Sequence, residues 1–138
     1  MIASQNRSYY IGASDTRQVV GNWKTKTFEK WWLEKIGFTR NQLHTEAMMT
    51  GTAYEHKIID SLGIPGMEKD KQFITGRLRV NLDGNTADTI YEIKTYKYQN
   101  GFKVPKHYRE QVWVEMLGSD IRKAYIVAYG LSLIHISE

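Results

Sequence analysis

The sequence predicts an α/β domain with a mixed central β-sheet flanked by helices. Helical patterns come first, three strand patterns follow, and a further helix and strand complete the order, as in layers packed around a mixed sheet. With 138 residues and 41% apolar content the chain can bury one core, and no repeat or linker divides it. We therefore expect a single domain over residues 1–138, in which the apolar residues 131–138 form an edge strand or a truncated or non-native tail.

Three helices are predicted in the first half of the chain. A short one has Ser14 as its N-cap and ends at Gly21, and a second runs from about residue 25 to residue 37. A third spans about residues 45–62, where apolar side chains recur every three or four residues. The tryptophans are expected in the core, although one of them could wedge against a DNA end: Trp23, Trp31, Trp32 and Trp113.

The β-prone segments lie at residues 71–74, 77–82, 90–96 and 124–129. We expect the last of them to be a central strand. Before it, Pro105 opens a helix that Gly118 is expected to terminate.

The composition restricts the possible cofactors and partners. With no cysteine there is no disulfide, zinc-thiolate site or iron–sulfur cluster, so a metal would have oxygen ligands, with or without histidine, and Mg²⁺ or Mn²⁺ is the natural candidate. The net charge of +4 is a mild bias toward anionic partners. No apolar run is long enough to cross a membrane, so we expect no membrane partner and a cytoplasmic protein.

The segment around Asp83, followed by Glu92 and Lys94, carries the chemistry. Two carboxylates and a lysine on neighbouring strands can hold a divalent metal and a water against a phosphate. Asp83 and Glu92 would bind the metal, the carbonyl of Ile93 would complete its shell, and Lys94 would orient or deprotonate the attacking water. Asp83 could instead be a turn residue, in which case Asp88 would replace it as the ligand.

Two helices supply further candidates. Glu55, next to the apolar stripe of its helix, would be an additional metal ligand, although it could also be an ordinary surface acid. Gln111 and Glu115 are one helical turn apart and can face the same site.

Four motifs in this order resemble the PD-(D/E)xK nucleases, and among them the YqaJ-type viral recombinases typified by phage lambda exonuclease. The match covers most of the chain and rests on IGASD at 11–15, GTAYE at 51–55, NLDG at 81–84 with EIKT at 92–95, and PKHYREQV at 105–112. The resemblance implies a restriction-endonuclease-like core that forms a single nuclease domain.

The resemblance also implies the roles of individual residues. Catalysis would be carried by five side chains: Glu55, Asp83, Glu92, Lys94 and Gln111. Arg7 and Ser14 would grip a 5′ phosphate, although Ser14 could be a plain helix cap and Arg7 an ordinary surface arginine.

The function implied is a metal-dependent exonuclease that digests one strand of duplex DNA from its 5′ end, in a phage or prophage of a bacterial host. Its partners would be double-stranded DNA ends and a single-strand annealing protein, and a ring-shaped trimer is the family's assembly. Two alternatives stay open, namely an endonuclease of the same fold in restriction or repair, and a DNA-binding module that has lost turnover.

Overall fold

The computed structural model describes residues 8–39, 46–96 and 103–130. Arg7 and residues 131–138, for which predictions were made above, lie outside these ranges. The described elements are a 3₁₀ turn at Ala13–Asp15, then α1 (Thr16–Val20), α2 (Lys26–Lys35), α3 (Glu46–Ser61), β1 (Glu68–Thr75), β2 (Leu78–Asn85), β3 (Ile90–Tyr96), α4 (Lys106–Ser119) and β4 (Ala124–Gly130). Within the described ranges, no helix is long and apolar enough to cross a membrane.

The four strands form one mixed sheet in the order β1-β2-β3-β4. The pairs β1–β2 and β2–β3 are antiparallel, whereas β3 and β4 are parallel and are joined through α4. The prediction of a mixed sheet flanked by helices is confirmed. The prediction that β4 is central is wrong for the described part of the chain, because β4 pairs there with β3 on one side and lies at the edge of the sheet.

The ladder between β2 and β3 is short. It consists of the pairs Gly84–Tyr91 and Asn85–Ile90, whereas β3 and β4 are paired along their whole length. Asp83 is therefore the residue of β2 at which the two strands begin to separate. This separation opens the sheet beside Glu92 and Lys94.

Two apolar clusters hold the helices on the sheet. One lies under α4 and consists of Ala13, Val80, Leu82, Ile90 and Ile121. The other lies under α3 and consists of Ile58, Ile59 and Ile93, with Met67 and Val127 partly buried against it. The sheet thus lies between α3 and α4, and the two clusters fix the position of each helix relative to the strands.

Helix α4 does not end at Gly118, contrary to the prediction. It continues to Ser119, and Asp120 ends it in the left-handed conformation with φ of 59°. Gly118 is buried in the last turn of α4, where a Cβ would lie only 2.8 Å from Cγ2 of Val80. Close packing on β2, and not helix termination, explains this glycine.

Asp15 is the N-cap residue of α1, so the prediction that Ser14 is the helix cap is wrong. Ser14 lies inside the 3₁₀ turn, while the carboxylate of Asp15 accepts hydrogen bonds from the Gly12 N–H at 2.8 Å and the Lys35 ammonium at 2.6 Å. Trp31 donates its indole N–H to the same carboxylate at 2.9 Å. These bonds tie α2 to the 3₁₀ turn.

The prediction that the tryptophans form the core is wrong for three of the four. Trp23, Trp32 and Trp113 are 64%, 47% and 61% exposed. Trp23 and Trp32 instead both stack on Phe28, with centroids 5.6 Å and 6.4 Å from that of the Phe28 ring. Aromatic stacking at the surface of α2 accounts for the exposed positions of Trp23 and Trp32.

Candidate active site

Asp83 lies where β2 and β3 separate, and its side chain replaces the missing ladder bond. Its Oδ2 accepts the backbone N–H of Ile93 at 2.8 Å. The side chain of Ile93 is buried under α3, so its backbone cannot shift without disturbing that cluster. The carboxylate of Asp83 is therefore held next to Glu92 on the neighbouring strand.

Lys94 is held by contacts on several sides. Its Nζ donates to Oε1 of Gln111 at 2.9 Å, lies 3.8 Å from Oε1 of Glu92, and sits 4.5 Å from the ring centroid of Tyr108. Only 18% of its side chain is exposed. Because these contacts already fix the ammonium group of Lys94, little conformational entropy would be lost when it contacts a ligand at the opening between β2 and β3.

Glu92 and Glu115 form a buried pair of carboxylates, 4% and 1% exposed. In the described structure Oε2 of Glu92 and Oε1 of Glu115 are buried without a hydrogen-bond donor. Burial raises the pKa of both groups, and the hydrogen-bonded, like-charged neighbour raises that of Glu92 further. The site thus contains more buried carboxyl oxygens than its own hydrogen-bond donors satisfy.

Glu115 lies in the site, next to Glu92. The sequence predicts only that Gln111 and Glu115 can face the same site. Gln111 connects it to Lys94, since Nε2 of Gln111 lies 3.5 Å from Oε2 of Glu115. The four-residue spacing from Gln111 is the signal in the sequence. Tyr108, one turn before Gln111, has no such signal, because only the fold brings its ring against Lys94.

Glu55 approaches from α3. Burial, the charge of Asp83 and that of Asp70 raise the pKa of Glu55 to about 7, while Lys94 opposes the shift. Its neighbour His56 contacts the carboxylate of Asp70 at 2.6 Å. Glu55 therefore lies within electrostatic reach of the opening, on the opposite side of the sheet from α4.

The donor set at the opening is compatible with Mg²⁺ or Mn²⁺. Within the described residues no three His, Asp or Glu side chains are arranged as ligands of a single ion. Mg²⁺, however, commonly takes one or two protein carboxylates and fills its remaining positions with water and substrate phosphate. The unpartnered oxygens of Glu92 and Glu115 are acceptors that such a cation would satisfy.

Three other predicted residues are placed differently. Asp88 lies in the exposed turn after β2, where the hydroxyls of Thr86 and Thr89 donate to its Oδ1 at 3.0 Å each and lower its pKa. It is a turn residue, and Asp83 is the aspartate at the opening. Ser14 is exposed in the 3₁₀ turn, and Arg7 lies outside the described residues.

Comparison with solved structures identifies the fold. An alkaline exonuclease from Laribacter hongkongensis is similar with a TM-score of 0.66 and 17% identity, over 91% of this chain and 71% of that one. The protein SSO0001 is similar with a TM-score of 0.58 and 14% identity, over 90% of this chain and 63% of that one. No protein-family model matches the chain, and no curated protein matches it significantly.

At these identities the similarity establishes the architecture and not the activity. The mixed sheet and the flanking helices confirm the predicted α/β architecture, and the match shows that the chain shares its fold with that alkaline exonuclease.

Proposed function

We propose that this chain is a metal-dependent deoxyribonuclease that degrades one strand of duplex DNA from its 5′ end, like the YqaJ-type recombination exonucleases of phages. The observation that carries the proposal is the meeting of Asp83, Glu92 and Lys94 where β2 and β3 separate. The similarity of its fold to that of an alkaline exonuclease supports it. The mild positive charge of +4 suits a DNA substrate.

Asp83 and Glu92 would hold Mg²⁺ or Mn²⁺, with the carbonyl of Ile93 as a further ligand and Glu55 approaching from α3. Bound there, the cation would polarise the phosphate and lower the pKa of a water. Glu115 would add a second carboxylate beside Glu92 to balance the charge of the cation, since its unpartnered oxygen is buried there. The raised pKa values of Glu92 and Glu115 fit a site that requires a cation for its carboxylates to ionise together.

Lys94 would orient the attacking water or take its proton and stabilise the charge that develops on the phosphate. The Oε1 of Gln111 and the ring of Tyr108 restrict where the ammonium can lie. We assign Gln111 a positioning role because it reaches the reaction through Lys94. Tyr108 would support the same position through a cation–π contact.

For the 5′ end of the substrate we propose Ser14 and Arg7 as phosphate contacts. Ser14 is exposed, and its hydroxyl is available at the surface of the 3₁₀ turn. A grip on the terminal phosphate would set the direction of degradation. Degradation in this direction leaves a 3′ single strand, for which a single-strand annealing protein would be the partner, and a trimer is the proposed assembly.

The test uses 5′-phosphorylated linear duplex and covalently closed circular duplex, with Mg²⁺ or with EDTA, and the variant Lys94→Ala. We expect Mg²⁺-dependent loss of the linear DNA alone, abolished in the variant. Cleavage of the circle would replace the proposal by an endonuclease of the same fold. Binding of DNA without cleavage of either substrate would replace it by a DNA-binding module.

A further inference from the structure

We propose that single-stranded DNA binds in a groove between α4 and β4, called here the α4–β4 groove. The inference rests on the proposed nuclease function for its choice of DNA, and it deepens that function. The groove holds the single strand that the degradation leaves. Its walls are formed by α4, by the start of β4 and by the residues just before β4: Arg109, Trp113, Met116, Arg122, Lys123 and Ile126.

Two neighbouring cavities make up the groove. One has a volume of about 660 Å³ and the other of about 410 Å³, and both are lined by Trp113, Met116 and Arg122. Between Arg109 and Met116, α4 advances by about 10 Å. A stacked strand of DNA advances by about 3.4 Å per nucleotide. The groove therefore has room for about three nucleotides.

The groove is open to solvent. In the described part of the chain β4 pairs with β3 alone, so no described strand lies beyond it. Trp113 is 61% exposed, and the three basic side chains that line the groove are exposed as well. A flexible strand can therefore enter the groove from the side without a rearrangement of the fold.

The groove adjoins the candidate active site across one strand. Ile126 of β4 pairs with Glu92 of β3, and neighbouring strands lie about 4.8 Å apart. Residues paired in this way point to the same face of the sheet, so Ile126 lies beside Glu92 on the face that α4 covers. Near the start of α4, Arg109 directly follows Tyr108, whose ring contacts Lys94. DNA bound at the site has only to cross β3 to reach the groove.

The charge of the groove suits a polyanion. Its lining residues include three cations, Arg109, Arg122 and Lys123, and one carboxylate, Asp120. Asp120 lies 3.9 Å from Arg122, but the two side chains are 89% and 90% exposed, and an ion pair of this kind is weak in water. Lys123 lies 5.6 Å from the ring centroid of Tyr125, a contact that consumes none of its N–H donors. Cations at both ends of the groove can therefore contact successive phosphates.

Trp113 is the feature that favours single-stranded DNA over other polyanions. Its ring borders both cavities, with the apolar side chains of Met116 and Ile126 close by. An exposed indole ring stacks on any base whose face is accessible, as the bases of a single strand are. Cations combined with an exposed aromatic ring are typical of sites that bind single strands without reading their sequence.

The experiment measures the affinity of a fluorescently labelled oligothymidylate by anisotropy, as a function of salt, in EDTA so that Mg²⁺-dependent cleavage does not occur. The test variants are Trp113→Ala and the double variant Arg109→Gln with Lys123→Gln. Trp23→Ala is the matched control for the first, because Trp23 is 64% exposed just before α2. Lys30→Gln, on the exposed side of α2, is the charge control. Mg²⁺-dependent degradation of 5′-phosphorylated linear duplex by the parent chain is measured in parallel.

We expect Trp113→Ala to bind the oligonucleotide about tenfold to a hundredfold more weakly. Trp113→Phe should keep most of the affinity, since it keeps an aromatic ring. In the double variant the slope of log affinity against log salt should fall by about 1.4, or about 0.7 per lost phosphate contact. Both controls should bind like the parent. If either test variant fails to unfold cooperatively on heating, Arg109→Gln alone should reduce the slope by about 0.7.

An affinity of Trp113→Ala equal to that of Trp23→Ala would overturn the inference, and degradation of the duplex by the parent would show that the nuclease function stands. Displacement of the probe by poly-glutamate as readily as by unlabelled oligothymidylate would also overturn it, because the groove would then bind acidic protein segments by charge alone. If the parent does not degrade the duplex while the test variants lose affinity as expected, the proposed function fails and the groove stands as a site for single-stranded DNA.

Discussion

Replacing Glu115 by glutamine should make the metal-free protein more stable and the enzyme less active. Glu115 and Glu92 are buried together, and each has one oxygen without a donor. An amide at position 115 removes one negative charge and supplies an N–H₂ group that can donate to Glu92. The same change takes away negative charge that the proposed cation needs.

The size of the effect follows from the unpartnered oxygens. A buried polar group without a partner costs about 1–3 kcal/mol, and the substitution relieves one such group. We therefore expect a gain of about 1–3 kcal/mol in the free energy of unfolding at pH 8 in EDTA. For a domain of this size that corresponds to a rise of about 3–10 °C in Tm.

The gain should depend on pH with a definite sign. Burial raises the pKa of Glu115, so the folded protein keeps this proton at pH values where the unfolded chain has lost it. The stability of the parent therefore falls as the pH rises above the ordinary value of 4.5 and toward the raised pKa. Glu115→Gln removes this loss, so its advantage should be present at pH 8 and absent at pH 4.

The assay is thermal unfolding in EDTA at both pH values, together with the rate of Mg²⁺-dependent DNA degradation. Glu110→Gln is the matched control, because it makes the same chemical change on the same helix, outside the site. The rate should fall about 10–100-fold in Glu115→Gln and stay unchanged in the control. A Tm equal to or below that of the control at pH 8, or a gain that persists at pH 4, would refute the reasoning.

Three further predictions follow from the described contacts. Lys94→Ala should lower the single-turnover rate of DNA cleavage by about 10²–10⁴-fold with DNA affinity kept, and a loss below tenfold would contradict the proposed role. Gly118→Ala should lower the free energy of unfolding measured in urea by about 1–3 kcal/mol, because its Cβ would meet Val80. Adding Val80→Ala to this variant should restore part of the loss, and an unchanged stability in Gly118→Ala would show that α4 shifts freely. The affinity for Mg²⁺ measured by calorimetry should rise between pH 6 and pH 8, because Glu55, whose pKa is raised to about 7, must lose its proton to bind a cation. Glu55→Gln should reduce this rise, to which Glu115 also contributes, and an equal rise in the variant would exclude Glu55.

The sequence predicts the hairpin at the site well, because strand alternation is a local rule. That Glu92 and Lys94 share one face of β3 follows from the two-residue period of a β-strand. The position of Asp83 is predicted less well, since the strand is expected over residues 77–82 and β2 continues past Asp83 to Asn85. The start of α2 is equally local, since the hydroxyl of Thr25 accepts the N–H of Phe28 at 3.0 Å as an N-cap does.

The features that the sequence does not predict depend on contacts between distant segments. Gly118 resembles a helix stop by its residue type, but its position is decided by how α4 packs on Val80. Ser14 has the residue type of a cap, yet it lies inside the 3₁₀ turn, whose position is fixed by the bonds from Lys35 and Trp31 of α2 to the carboxylate of Asp15. Residue type gives a local preference, and tertiary packing overrides it in both cases.

The buried partner of Glu92 shows the same limit at the candidate site. The spacing of Gln111 and Glu115 puts them on one face of a helix, but it does not say that this face lies over Glu92. That contact arises only when α4 packs across the sheet over the first apolar cluster. Hydrophobic bulk is a similarly weak guide, since Trp23 and Trp113 are exposed in the fold.

The most direct test of the central claim compares two aspartates from the same hairpin, Asp83 at the strand separation and Asp88 in the turn. Asp83→Asn and Asp88→Asn make the same chemical change, and Mg²⁺-dependent degradation of 5′-phosphorylated duplex DNA is measured for both. The account predicts a loss of at least about a hundredfold for Asp83→Asn and a rate close to that of the parent for Asp88→Asn. Full activity in Asp83→Asn, or its loss in Asp88→Asn alone, would contradict it.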